Sequence, residues 1–188
     1  MSTERGRVLT QLARASIARS LGVPVDEPPR PDWLKAPGAV FVTLTRNGEL
    51  RGCIGSLEAR RSLGEDVVEN ARMAAFADPR FPPLDRAELD DTHIEVSVLS
   101  EAQPIVFQDE ADALGKLRPG VDGVILEYGR HRATFLPQVW RQLPEPARFL
   151  AHLKRKAGLP ADFWAPEVRL YRYTVEKYDE EEDERARA

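Results

Sequence analysis

Apolar and polar positions alternate through AVFVTLTRNGELRGCIGS, residues 39–56, in two β-rich runs joined at Asn47-Gly48. Both of those residues tolerate positive φ, so the pattern predicts a hairpin closed by a two-residue turn. With that loop Arg46 faces Glu49, Leu44 faces Arg51 and Val42 faces Cys53, while Phe41, Leu50 and Ile54 share the other face. Arg51 and Cys53 then project the same way, about 7 Å apart along the strand. Glycines at 52 and 55 interrupt this run, and glycine weakens a strand interior.

The remaining periodicities fill in the chain. Residues 4–21 carry Val8, Leu12 and Ala15 at helical spacing, stopped by Gly22 and Pro24. The proline-rich segment 25–37 is a connector. Ser62 and Glu65 have the spacing of a capping box, ahead of a stripe of Val67, Val68, Ala71, Ala74 and Ala75 that ends at Pro79. THIEVSVLS (92–100) alternates, with Ile94, Val96 and Val98 inward and His93, Glu95 and Ser97 on the opposite face. Strands are expected at 123–128 and 132–136 around Gly129. A helix follows over 145–157 with Phe149, Leu150, Leu153 and Ala157 buried, and VRLYRYTVEKY forms one closing strand. Helices and hairpins are interspersed without a regular βαβα order, so the fold class is α+β.

Composition narrows the class without naming a reaction. The 188 residues are 42% hydrophobic and 31% charged, and no apolar run approaches the roughly 18 residues of a membrane span. The N-terminus has no secretion-signal pattern and the single cysteine forms no internal disulfide, so a soluble, cytoplasmic protein is expected. The net charge of −4 resides entirely in residues 179–188, DEEEDERARA, read as a disordered acidic tail behind a domain spanning 1–178. A neutral body argues against nucleic acid as partner. The short basic clusters at 60–61 and 154–156 read as solvated surface.

Cys53 beside Arg51 is the most reactive arrangement in the sequence, since a thiolate next to a guanidinium is a nucleophile near neutral pH. The reading favoured over that is a small buried filler opposite Val42, because free cysteine is among the most buried residue types. His93 and Glu95 share a strand face, as a general base and its orienting carboxylate do, and as a solvated sheet face does. His131 and His152 fall on a turn and a helix. The three histidines and one cysteine have no metal-ligand spacing, and no glycine-rich nucleotide loop is present. No cofactor or metal is therefore expected. Gly52 and Gly55 either let backbone approach an anionic ligand gripped by Arg51 and Arg80, or mark a bulge or sheet corner.

Five stretches occur in order: LRGCIGSLE, DPRFPPL, IEVSVLS, GVDGVILEYGRHRATFLPQVW and FLAHLKRKAGLP. Together they closely resemble the AmmeMemoRadiSam system protein A family, the AMMECR-one domain, over residues 6–178. The resemblance implies a single barrel-like, mostly antiparallel sheet built from two strand and helix repeats, with helices packed outside, as one domain or two lobes sharing a cleft. It implies Memo-like and radical SAM proteins as partners. It also implies that Arg51, Gly52, Cys53 and Gly55 gather with Asp78, Arg80 and Phe81 near one cleft. The family carries no settled activity across, which leaves a ligand- or segment-binding component, a thiol-dependent transferase or hydrolase, and a non-catalytic adaptor as readings.

Overall fold

The computed structural model describes residues 2–180. In chain order the elements are α1 (Ser2–Ser20), β1 (Pro37–Arg46), β2 (Glu49–Gly55), β3 (Arg61–Ser62), α2 (Leu63–Phe76), β4 (Thr92–Leu99), β5 (Gln103–Pro104), α3 (Glu110–Lys116), β6 (Gly123–Tyr128), β7 (His131–Phe135), α4 (Pro146–Lys156), β8 (Arg169–Tyr173) and β9 (Val175–Asp179). Two compact units result. The first comprises the chain up to Leu99 and from Glu176 onward, and the second Ser100–Val175. Among the described residues no helix is long and apolar enough to cross a membrane.

The first unit is a five-stranded antiparallel sheet in the order β2-β1-β4-β9, with β3 paired to the start of β1. Val40, Val42 and Leu44 of β1 and Ile94 and Val96 of β4 form its inner face, packed with Leu9, Leu12, Val67, Ala71 and Ala74 of the two helices. α1 is buried more broadly than one stripe: Leu9, Ala13, Ile17 and Ala18 are covered along with Val8, Leu12 and Ala15. The capping box at Ser62 and Glu65 is present at the start of α2. Asn47 and Gly48 take positive φ (52° and 79°), so the hairpin turn forms as its sequence requires.

The hairpin register differs from the expected one. Arg46 opposes Glu49 and Thr45 opposes Leu50, but Leu44 then opposes Gly52, leaving Arg51 as an extra residue in a β-bulge. Every later side chain is displaced by one, so Cys53 opposes Thr43 and Ile54 opposes Val42. Glycine at 52 is thus the inward residue.

The second unit holds a four-stranded sheet, β5-β8-β6-β7, over a core of Val124, Leu126, Leu170, Phe149, Leu150 and Leu153. Trp140 stacks on Phe149 at 3.7 Å and donates its indole N–H to the Asp122 carbonyl (2.7 Å). α3 had no expectation: at seven residues it shows two turns of pattern and is set by Asp109, whose carboxylate caps Asp112 N–H. Lys154, expected on the surface, is buried, paired with Glu110 and lying 5.4 Å over the Trp164 ring. His131 is half-buried with Nδ1 2.8 Å from the Ala157 carbonyl, and His152 is exposed.

In place of the expected single barrel-like sheet, the described residues form two sheets, and neither of these closes into a barrel. The expected closing strand breaks at Thr174, giving β8 to one sheet and β9 to the other. Closure of the five-stranded sheet would need β2 to pair at its outer edge, and at Cys53 side chains already occupy that edge. The first two residues assigned to the tail are part of the fold. Asp179 belongs to β9, and Glu180 accepts two hydrogen bonds from Arg14 (2.7 Å each) and one from Ile94 N–H (3.0 Å). Residues 181–188 of the expected tail lie outside the described residues.

Candidate functional site

β2 ends the sheet, so one side of its backbone has no neighbouring strand. At Cys53 two side chains take that neighbour's place. Asp78 accepts the Cys53 N–H (2.9 Å), and Arg80 Nη2 donates to the Cys53 carbonyl (3.3 Å). Asp78 also accepts from Arg80 N–H (3.1 Å), Nε (3.0 Å) and Nη2 (2.7 Å). It is 4% exposed, and these bonds, from Arg80 first and Cys53 next, outweigh the opposing effect of burial and hold its carboxyl well below the usual carboxylate range. The DPRF and RGC segments therefore meet at Cys53.

The glycines do not open a recess. Gly52 faces α2, where a β-carbon would collide with the Ala74 carbonyl oxygen. Gly55 lies under the Phe41 ring of the adjacent strand, and a β-carbon there would overlap it. Both absences of side chain serve close packing, the helix on the sheet in one case and an aromatic ring across the hairpin in the other. Of the two explanations open in the sequence, a bulge is what the structure contains, and it sits at Arg51.

The bulge aims Arg51 at Glu88, which follows Asp85 in a short capped 3₁₀ turn. Nε and Nη2 of Arg51 reach the two Glu88 oxygens at 3.0 and 2.9 Å, a forked pair. Arg46 joins Glu88 at 3.1 Å. Arg51's hydrogen bonds, the Asp85 N–H and the charges of Arg51 and Arg46 together lower the Glu88 carboxyl to about 2. Arg51 is 12% exposed, and its Nη1 is buried without a hydrogen-bond partner. Phe81 lies with its ring 6.0 Å from the Arg51 guanidinium and 5.5 Å from that of Arg80. The charge expected beside Cys53 thus comes from Arg80, while Arg51 is committed to Glu88.

Cys53 is partly exposed, with Sγ 3.3 Å from Thr43 Oγ1. Thr43 in turn opposes Glu95 on β4, so Cys53, Thr43 and Glu95 form one row across three strands. Glu95 accepts from Lys177 Nζ (3.0 Å) and Ser97 Oγ (3.3 Å). His93 opposes Thr45, in a different row of the same face. Cys53 and Glu95 are separated by one intervening strand, about 10 Å at ordinary strand spacing. The three proposed catalytic residues share a face but do not assemble as a hydrogen-bonded set through Cys53, whose near partner is a hydroxyl.

Three contributors were missed in the sequence. Glu88 lies in a linker with no periodicity to single it out. Asp66 and Asn70 fall inside the apolar stripe of α2, yet Asp66 is 1% exposed, accepts from Val40 N–H (2.8 Å) and Ser56 Oγ (2.7 Å), and forms an ion pair with Arg61 Nε (3.1 Å). Asn70 donates to Ser56 Oγ (3.0 Å) and the Val40 carbonyl (3.3 Å). This network ties the exit of β2 to the helix beneath it. Two buried polar residues at i and i+4 in an alanine-rich stripe were the available signal. Among the described residues no cluster of three His, Cys, Asp or Glu side chains is arranged to hold a metal.

The family model for AMMECR1 matches residues 10–178. The chain belongs to the AMMECR1 family. Relatives include a protein of Methanothermobacter thermautotrophicus, 41% identical over 96% of this chain and 97% of its own length, and protein MK0488 of Methanopyrus kandleri, 37% identical over 98% and 92%. The crystal structure of uncharacterized protein PH0010 from Pyrococcus horikoshii is similar with a TM-score of 0.82 and 37% identity, covering 95% of this chain and 92% of that one. The α+β fold is thus an AMMECR1 fold, and the Asp78, Arg80 and Cys53 contacts lie within the matched segment.

Proposed function

We propose that this AMMECR1 chain is a cytoplasmic binding component of an AmmeMemoRadiSam-type system, acting with Memo-like and radical SAM proteins in a modification or biosynthetic pathway. Its ligand is a small anion received at the rim formed by Arg51, Phe81 and Arg80. One observation carries this reading: Arg51 Nη1 is a buried donor with no partner, although the same guanidinium is otherwise fixed by Glu88. A buried unpaired donor calls for an acceptor. Arg80 is 54% exposed and spends Nε and Nη2 on Asp78 and Cys53, which leaves Nη1 for the same anion. Both forks are held in place before a ligand arrives, so little ordering cost remains.

Native mass spectrometry of the chain purified with its two partner proteins tests this. A retained anion or a retained partner, lost in Arg80→Gln while circular dichroism stays unchanged, is the expected result. Purification with neither, together with no thermal shift in citrate, phosphate or acetate at low salt, overturns it.

A thiol-dependent transferase or hydrolase is the second reading. It is favoured by the partly exposed Cys53 and by the guanidinium of Arg80 anchored on the carbonyl of the same residue. Full pathway activity in Cys53→Ser ends it.

A further inference from the structure

A cavity of about 1060 Å³ in the first unit shares no lining residue with the Cys53 site and lies where the start of α1 meets the connector, the start of β1 and β9. Its walls include Pro29, Pro31 and Pro37, rigid apolar surfaces, and Trp33, which is 36% exposed. Leu63 and Leu99 reach it from the core. The sequence assigned this stretch only the role of a connector.

Two polar atoms at this cavity lack partners. Tyr178 is 6% exposed, yet its hydroxyl makes no hydrogen bond, and Arg5 Nε is buried and equally unpaired. The Arg5 guanidinium lies 5.4 Å from the Trp33 ring centre and 6.0 Å from that of Tyr178, and its Nη1 is 3.9 Å from Glu176. Arginines 5, 7 and 30 line the cavity against Glu4 and Glu176, one positive charge in excess. Glu27 does not cancel that excess, because it is shared by Arg19 and Arg30.

We propose that this cavity binds a small monoanion with an apolar body, an aryl or alkyl carboxylate, whose oxygens accept from Arg5 Nε–H and the Tyr178 hydroxyl while its body lies against Trp33 and the prolines. The uncompensated charge is single, so a dianion would meet Glu4 and Glu176 unfavourably. Stacking surface and paired donors are what such a ligand uses: flat apolar contact for its body and a few placed donors for orientation. Burial first, and then the Glu176 carboxylate that the hydroxyl faces, push the Tyr178 phenol up to about 12 against the opposing effect of Arg5, so it keeps its proton and remains a donor near neutral pH.

The test uses the full chain, titrated at low salt with 3-phenylpropionate, 3-phenylpropionamide and 3-phenylpropylamine and followed by NMR of the Arg5 Nε–H. The acid is expected to saturate that signal, with amide and amine about tenfold weaker or worse, since a hydrogen bond to a charged group is worth more than one decade. Tyr178→Phe removes a hydroxyl that makes no well-formed hydrogen bond and only faces Glu176 and Arg5, so its melting temperature should change little while affinity drops about tenfold. Arg5→Lys, which keeps the charge and loses the Nε–H, should weaken binding similarly. Equal binding of acid and amide, unchanged affinity in both variants, or no saturation by about 10 mM acid overturns the proposal.

Discussion

The carboxylate of Asp78 receives the backbone N–H of Cys53, and it does so at the open edge of β2, with Arg80 returning a bond to the Cys53 carbonyl. Side chains from the DPRF loop thereby imitate one residue of a neighbouring strand. An edge strand with unpaired backbone is a template for association with other chains. Asp78 and Arg80 block that template at Cys53, and the same bonds fix the arginine that faces the proposed anion.

Asp78→Ala leaves Cys53 N–H without its acceptor, while the Arg80 guanidinium, half exposed, can turn to water. The cost is expected to be about 1–3 kcal/mol in urea unfolding, the range for a donor left unpaired. Asp78→Asn keeps an acceptor and should cost less. Size-exclusion chromatography should show concentration-dependent association of the alanine variant. Monomeric behaviour at unchanged stability would remove the edge-capping role.

The two glycines are separable by rescue. Gly52→Ala drives a methyl into the backbone of α2 at Ala74, where no side chain can yield, so it should cost about 3 kcal/mol or more. Gly55→Ala meets only the Phe41 ring. Combining it with Phe41→Leu should therefore recover part of the loss, whereas Phe41→Leu should do nothing for Gly52→Ala. Thermal melts of the parent and the five variants decide this by the sign of the coupling.

Much of the fold was legible because its signals were local. Asn47-Gly48 and Ser62 with Glu65 each act within a few residues, and each is found. The alternation of β4 holds through Ile94 and Val96, but at its end Ser97 is buried and Val98 only partly so. The bulge was not legible: nothing in ELRGC states that Arg51 is the residue left over, and one uncounted residue moved Cys53 from Val42 to Thr43. The site's partners were hidden for a related reason. Glu88 and Asp78 lie 37 and 25 positions from the residues they bind, and such distant pairings leave no periodic trace. The glycines invited a ligand because their packing partners, a helix carbonyl and a cross-strand ring, appear only in three dimensions.

Glu180 clamps the end of β9 through Arg14 and the Ile94 N–H. Its carboxylate is 17% exposed, which places the pair between surface and core. Glu180→Ala should destabilise the chain by about 1.5–3 kcal/mol, as expected for charge-assisted hydrogen bonds. Hydrogen exchange should rise at Ile94 N–H, since that amide loses its acceptor. An unaltered exchange rate there would contradict the clamp.

Glu88 gives the site an acid limit whose sign follows from its pairing. Its carboxyl is lowered from 4.5 to about 2 in the folded chain, chiefly by Arg51, so it binds fewer protons folded than unfolded between those values. Its contribution to stability is complete above about pH 4.5 and is lost as the pH falls toward 2. Glu88→Gln should accordingly be less stable than the parent near pH 7, with the difference shrinking steadily below pH 4.5. Arg51→Met should bring the Glu88 titration, followed by carboxyl carbon NMR, back up toward the ordinary range, because Arg46, 36% exposed and shared with Asp91, is the weaker partner. If Glu88 kept its low value in Arg51→Met, Arg46 would be what holds it. The bulge would then have no electrostatic purpose, and the spare N–H of Arg51 would lose the fixed geometry on which anion binding depends.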